Sequence, residues 1–375
     1  MAGIGKEASL ALVALVASCC LISSPAASSS PAPSPGQATA PRIVNGKETS
    51  IERWPWQVAL LDRRLGSSQT ARYFCSGSLI APDLVVTAAH CVADYRPGSL
   101  ANLEVVAGRT YLNRTSTGES LPVERVLMPL DSEGRRKYRI RGGAAIWDVA
   151  LLKLSAPSTV GTPIAIAGAS EEASWEPGRL VKTTGWGYTG GVGGSVSNRL
   201  QIANQVILPD GVCERAGFYQ PTTMICLGGP RGGSSACSGD SGGPLVSPVG
   251  DGWRLIGMTS FGDFYCRGYI PSVDNRTAAD PVRKWIREES IAVSGYDPVS
   301  EGGTIGPLPE SCKVPGLNGR TRQSARKALL KANCRLEGVR YVGLHSRRKG
   351  RVVASSLPMG WLAPVGFGIR VAITR

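Results

Sequence analysis

The chain has 375 residues, ten cysteines, only two histidines and a formal charge of +14 at neutral pH. No Cys-x-x-Cys pair or His-rich run occurs, which argues against zinc or another metal, and the apolar N-terminal run Leu10–Ala17 is too short to cross a bilayer. The basic balance admits a polyanionic partner, but no nucleic-acid recognition motif accompanies it.

Taken in order, residues 1–26 read as a secretory signal peptide, with Lys6 ahead of the apolar run and small-residue cleavage sites near Ala26 and Ala27. Val16-Ala17-Ser18-Cys19 also looks like the lipobox of bacterial lipoproteins, which would attach a lipid at Cys19. Residues 27–42 continue a Ser/Pro/Ala-rich stretch that cannot bury a core, so a propeptide-like spacer is expected there. After the signal eight cysteines remain, an even number that suits a disulfide framework in an oxidising compartment.

From residue 43 to 290 the pattern is all-β. Short apolar runs at Trp56–Leu61, Leu84–Thr87, Val149–Leu154 and Leu255–Thr259 are separated by Gly, Pro, Ser and Asp turns. A run of this length fits one large β unit or two packed barrels. Asp280–Glu289 closes it as a helix, with Val282, Trp285 and Ile286 on its apolar side.

Chemistry concentrates at Cys237–Pro244, Cys-Ser-Gly-Asp-Ser-Gly-Gly-Pro. A serine hydroxyl needs a neighbouring base and backbone donors aimed at the developing oxyanion. Gly239, lacking a Cβ, can turn its N–H toward the same point as that of Ser241, and Gly242 and Gly243 leave room for a substrate backbone. A base is available in His90, within Val-Val-Thr-Ala-Ala-His-Cys, and an acid in Asp148, at the start of an apolar strand.

The order His90, Asp148, Ser241, with its flanking motifs, resembles the trypsin/chymotrypsin family of serine endopeptidases. The resemblance implies two six-stranded antiparallel barrels with the site between them, protein or peptide substrates and no cofactor. His90 would be the base, Asp148 its orienting acid and Ser241 the nucleophile; the N–H groups of Gly239 and Ser241 would form the oxyanion hole. Pro41-Arg42-Ile43-Val44-Asn45-Gly46 resembles the family's activation junction. An activating protease would cut after Arg42, and the new amino group of Ile43 would pair with Asp240. The resemblance also pairs Cys75 with Cys91, Cys213 with Cys226 and Cys237 with Cys266, leaving Cys312 for Cys334.

For substrate, Ser260, Phe261 and Gly262 match the segment that binds substrate backbone as a strand. Six residues before the nucleophile, where trypsin has an aspartate, stands Ser235. With Ala236 beside it, and Gly262 and Gly268 on the walls, the pocket resembles the apolar chymotrypsin type. Bulky apolar residues are therefore expected before the cut, with cleavage after Arg42 left to another protease. Asp263 and Arg267 are the charged residues that could also enter the pocket, and Asp263 would favour Lys or Arg.

Residues 291–310 are Gly/Ser/Pro-rich and read as a linker. The remainder, 311–375, reads as a second domain: Cys312-Lys-Val-Pro-Gly-Leu-Asn-Gly, a helix over Gln323–Asn333, then strands at Val339–Leu344, Gly350–Val353 and Ile369–Ile373, with Ser356-Leu-Pro-Met-Gly360 between the last two. These pieces in this order resemble a PASTA domain, a small α+β unit that implies a bacterial source and an association with peptidoglycan. From Ile291 onward 14 Lys/Arg face 4 Asp/Glu, so +10 of the +14 lies there, and an anionic wall polymer would feel that field. The alternative of another class is a wall-binding protein, catalytically silent, whose protease domain is scaffold. The chain is expected to be a secreted monomer.

Overall fold

The structure, a computed structural model, describes residues 46–189, 194–214, 218–228, 236–262, 266, 271–306, 310–343 and 349–375. Its first barrel is built from β1 (Gln57–Asp62), β2 (Tyr73–Ala81), β3 (Leu84–Thr87), β4 (Leu103–Ala107), β5 (Glu119–Leu127) and β6 (Ala150–Leu154). These strands close antiparallel in the order β1–β2–β3–β6–β5–β4. Valine, leucine and alanine fill them: Val58, Leu60, Leu79, Val85, Leu151 and Leu152 are all fully buried. Every residue of β1 is buried, because one face lines the barrel and the other is covered by its neighbour.

The second barrel repeats the plan with β7 (Leu180–Gly185), β8 (Gln201–Ile207), β9 (Met224–Gly228), β10 (Pro244–Val249), β11 (Gly252–Phe261) and β12 (Ser272–Asn275). The order is β7–β8–β9–β12–β11–β10, closed by pairing of β10 with β7. Both barrels thus use one strand permutation, and full closure leaves neither with a free edge. Gln57 meets Thr184 between them, the Thr184 hydroxyl donating to Gln57 Oε1 at 2.6 Å.

Of the helices around the barrels, two bear on the site and its closure. Helix α1 (Ala89–Val92) follows β3 directly. Helix α2 runs Val282–Ser294, shifted from the expected Asp280–Glu289. It ends at Gly295, whose φ of 64° suits a residue without Cβ and whose N–H reaches the Ile291 carbonyl. The apolar pattern fades before that point because the buried residue of the last turns is Ser290, whose hydroxyl donates to the Tyr296 carbonyl at 2.7 Å.

The stretch expected to be a linker is, in its described part, bound along the second barrel. Val299–Ser300 pairs in parallel with Ile166–Ala167. Glu301 accepts from the N–H groups of Ala169 and Ser170 at 2.9 and 2.8 Å. Gly303 N–H reaches the buried Glu171 carboxylate at 2.9 Å, and Arg179 donates to the Gly306 carbonyl at 2.7 Å. Composition suggested freedom; specific backbone partners remove it.

The C-terminal part is a small α+β unit. Strands β14 (Cys334–Val342) and β15 (Val352–Ser355) flank β17 (Phe367–Thr374), parallel and antiparallel respectively. A second pair joins β13 (Ser311–Lys313) to β16 (Leu362–Pro364). Helix α3 (Arg322–Lys331) is capped by Thr321, whose hydroxyl accepts from Ser324 N–H at 3.2 Å, and it buries Ala325 and Leu329. This unit shares one core with the second barrel: Val206, Leu208, Val212, Met224 and Cys226 cluster with Val314, Leu317, Trp361 and Ile369. Trp361 is fully buried, and a Cβ at Gly228 would lie 2.3 Å from its ring. Four disulfides form, Cys75–Cys91, Cys213–Cys226, Cys237–Cys266 and Cys312–Cys334, the pairing expected from the sequence.

Candidate active site

Strand β3 delivers His90. Thr87 ends the strand, buried Ala88 turns the chain, and α1 begins at once, so the imidazole stands where barrel one meets barrel two. Asp148 arrives on the turn before β6: Trp147 takes a φ of 51°, and the Val149 N–H bonds back to the Trp147 carbonyl at 2.8 Å. That tight turn aims the Asp148 carboxylate inward, where it is wholly buried.

Three donors satisfy this carboxylate. The His90 backbone N–H reaches Oδ1 at 2.8 Å, His90 Nδ1 lies 2.8 Å from Oδ2, and the Ser260 hydroxyl also donates to Oδ2. An ionised carboxylate only accepts, so Nδ1 carries the proton and Nε2 keeps its lone pair. Burial alone would push the His90 pKa down, but the charge of Asp148 and its hydrogen bond outweigh that and leave it raised. The arrangement is a base with a fixed tautomer and a stabilised cationic form.

Ser241 lies on the loop entering β10, pinned to the first barrel because the Ser76 N–H of β2 donates to the Ser241 carbonyl at 2.8 Å. Gly242 follows with a φ of 76°; a Cβ there would sit 2.2 Å from Thr87 Oγ1 and 2.5 Å from the Ser76 carbonyl. Only glycine lets the loop press so closely against the strand that carries His90. Upstream, Gly239 has a φ of 92°, and its carbonyl accepts from the Tyr73 hydroxyl at 2.6 Å. With that carbonyl turned away, neither Gly239 N–H nor Ser241 N–H donates to another of the described residues. Two unused backbone donors beside a candidate nucleophile suit a developing oxyanion.

Asp240 points the opposite way, into the second barrel, fully buried. Its carboxyl accepts from the N–H groups of Gly187 at 2.8 Å and Cys237 at 2.9 Å, and burial pushes it up to about 6 against those two bonds. Glycine at 185 and 187 makes the space, since a Cβ at either would lie within 2.4 Å of the Asp240 carboxyl group. Tyr73, Gly185 and Gly187 were not singled out in the sequence, for they act through contacts more than fifty residues away.

Of the expected substrate-binding residues, Ser260 and Phe261 end β11, Gly262 follows, and Ala236 precedes Cys237. Gly262 packs close to β12, where a Cβ would meet that of Ser272 at 3.0 Å. Ser235 and Gly268, with Asp263 and Arg267, lie outside the described residues, as does the junction of Arg42 and Ile43. Cys75, His90 and Cys91 bring ligand-type atoms within 4.8 Å of one another, but both cysteines are spent in their disulfide, so the trio does not fit a metal.

Comparison with known proteins agrees with the geometry. The profile of the Trypsin family matches residues 43–286. A protein named Trypsin from Saccharopolyspora erythraea is 35% identical over 238 residues, which span 63% of this chain and 94% of that protein.

Proposed function

The chain belongs to the trypsin family of serine proteases, and from that premise we propose that it is a secreted endopeptidase, made as a zymogen, whose nucleophile is Ser241. The observation that carries this reading is the buried Asp148 carboxylate, which fixes the His90 ring through Oδ2 and its backbone through Oδ1. Ser241 Oγ attacks the substrate carbonyl carbon while His90 Nε2 takes its proton. The tetrahedral oxyanion is met by the N–H groups of Gly239 and Ser241. Collapse breaks the C–N bond as the imidazolium returns its proton to the leaving amine, and water, activated by the same base, releases the acyl group.

Activation follows from Asp240. In the uncut chain its buried carboxyl has two N–H partners, and burial pushes it up to about 6 from its ordinary 3.8. A cut after Arg42 frees the Ile43 amino group, and pairing that cation with Asp240 would offset the cost of a buried charge and order the oxyanion loop. Secretion is supported by the N-terminal signal-like segment and by four disulfides. The C-terminal unit, PASTA-like in its sequence, would hold the enzyme at an anionic wall polymer: every described lysine and arginine from Lys313 onward is exposed.

The test is peptide hydrolysis by chain beginning at Ile43, with Ser241→Ala as comparison. The substitution is expected to lower kcat by about 10⁶-fold, as loss of a triad nucleophile does elsewhere. A correctly cut, folded chain that shows no Ser241-dependent turnover would sink the reading and leave the wall-binding alternative.

A further inference from the structure

Where the chain first joins the second barrel it leaves a cavity of about 570 Å³, within the range of small-molecule sites. Lys47–Glu48 pairs antiparallel with β8, Lys47 opposite Ile202, and β7 sets Lys182 opposite Asn204. These residues line the cavity together with Arg53, Trp54 and, from the start of β11, Trp253. Ser260 stands near the far end of the same strand, so the cavity lies about 20 Å from the triad.

Its charge is unbalanced. Three cations line it, Lys47, Arg53 and Lys182, against one acid, Glu48, whose carboxylate is taken by Arg199 at 2.6 Å. Lys182 Nζ donates to Asn204 Oδ1 at 2.7 Å, while the side chains of Lys47 and Arg53 have no hydrogen-bond or ion partner among the described residues. Burial, and after it the charge of Lys47, holds the Lys182 ammonium below the usual lysine range. Like charges gathered round a part-buried lysine oppose one another until an anion comes between them.

The apolar wall narrows the class of anion. Trp54 is 5% exposed, and its Nε1 donates to Thr49 Oγ1 at 2.9 Å. Thus fixed, its ring backs the half-buried Trp253 with centroids 5.2 Å apart, and Lys182 Nζ lies 5.9 Å from the Trp253 centroid. A held indole with ammonium groups beside it and an amide and a hydroxyl at its margin suits a saturated sugar ring. The C–H face of such a ring lies on the indole, its acid group meets the cations, and its hydroxyls meet Asn204 and Thr49. A bare inorganic anion would leave the indole unused, and a flat aromatic acid would leave the amide and hydroxyl unused.

We propose that this cavity is a binding site for a sugar acid, a pyranose bearing one anionic group, seated on Trp253 and held by Lys47, Arg53 and Lys182. The site belongs to the barrels, apart from both the catalytic cleft and the basic tail. It does not depend on Ser241 being the nucleophile.

The full chain is titrated calorimetrically at low salt with galacturonate and glucose 6-phosphate, and with galactose, glucose, inorganic phosphate and benzoate for comparison. At least one sugar acid is expected to bind about 10-fold or more tightly than its neutral sugar, phosphate and benzoate, the scale of one charge-assisted hydrogen bond. The double substitution Lys47→Gln, Arg53→Gln, at exposed positions, and separately Trp253→Ala, should each weaken it by about 10-fold or more. Tetragalacturonate tells the two sources apart: a gain over galacturonate that the double substitution removes marks a unit of a glycan chain, and no gain marks a free sugar acid. The basic tail would also attract the tetramer, but that binding would survive the double substitution. Failure of both sugar acids to saturate with a Kd below about 10 mM overturns the proposal. Phosphate or benzoate binding equally well overturns the sugar, and binding that survives both variants overturns the cavity. Should Trp253→Ala not fold, the double variant and the neutral sugars decide.

Discussion

Asp148 shows how one side chain sets the working range of another. Because its carboxylate holds His90 above the ordinary histidine value of 6.5, the imidazole stays protonated, and useless as a base, to a higher pH than a free histidine would. Activity should therefore appear only as pH rises through a value above 6.5. In Asp148→Asn the attraction is gone and burial, which acts downward, remains; the acidic limb of kcat/KM is expected below 6.5, with kcat reduced by about 10⁴-fold from the wrong tautomer. A pH–rate profile of both proteins checks this, and an unmoved limb would mean that another group sets it. At this scale the sequence was readable where residues sit in short motifs, as at His90 and Asp148, which the fold brings within hydrogen-bond distance. It was silent on Tyr73, whose partner Gly239 lies 166 residues away.

Loops built on glycine carry the site at the scale of elements. Gly187 donates its N–H to Asp240 and leaves the room that Asp240 occupies, for a Cβ would lie 2.4 Å from both Cγ and Oδ2. Nothing there can give way cheaply, since the carboxyl is pinned by Cys237 as well. Gly187→Ala is expected to destabilise by roughly 1–3 kcal/mol, the cost of overpacking a filled site, and to lower activity by displacing the oxyanion loop. Denaturant midpoints alongside peptide hydrolysis would test it, and wild-type values for both would show that the loop has slack. Strand positions were legible because alternating apolar residues impose them; Leu84–Thr87 came out as expected. The ends of α2 were less so, because its last turns are fixed by a serine and a left-handed glycine and not by an apolar stripe. Residues 299–306 misled for a related reason. Their glycines and serines suit a free spacer, and only Glu171, Arg179 and Ser170, far away in sequence, turn them into a strap.

At the scale of the molecule, the C-terminal unit and the second barrel are joined through a common core. Trp361 is its largest fully buried side chain beyond the barrels and rests on Gly228 of β9 and Leu208 after β8. Trp361→Ala should cost about 3–5 kcal/mol, and because that core is shared, the protease barrels should unfold at lower temperature together with the tail. Differential scanning calorimetry distinguishes this from two independent units, for which the barrel transition would stay in place. Nothing in the sequence around Trp361 marks it as an anchor, since an aromatic among Gly, Pro and Met reads equally well as an exposed loop residue.

The shared core also decides what kind of motion the cleft is allowed. A flexible spacer of about 20 residues would let a cutting site wander over about 25 Å around any point the tail holds, sampling targets in every direction. Under the proposed anchoring, a tail clamped by the strap at 299–306 and by Trp361 instead carries the cleft as a jeweller's vice carries a blade: the angle would be chosen once, at the moment of attachment. Substrates on that surface would then be sorted by the direction in which their chains stand up from it, a filter that no soluble peptide reports.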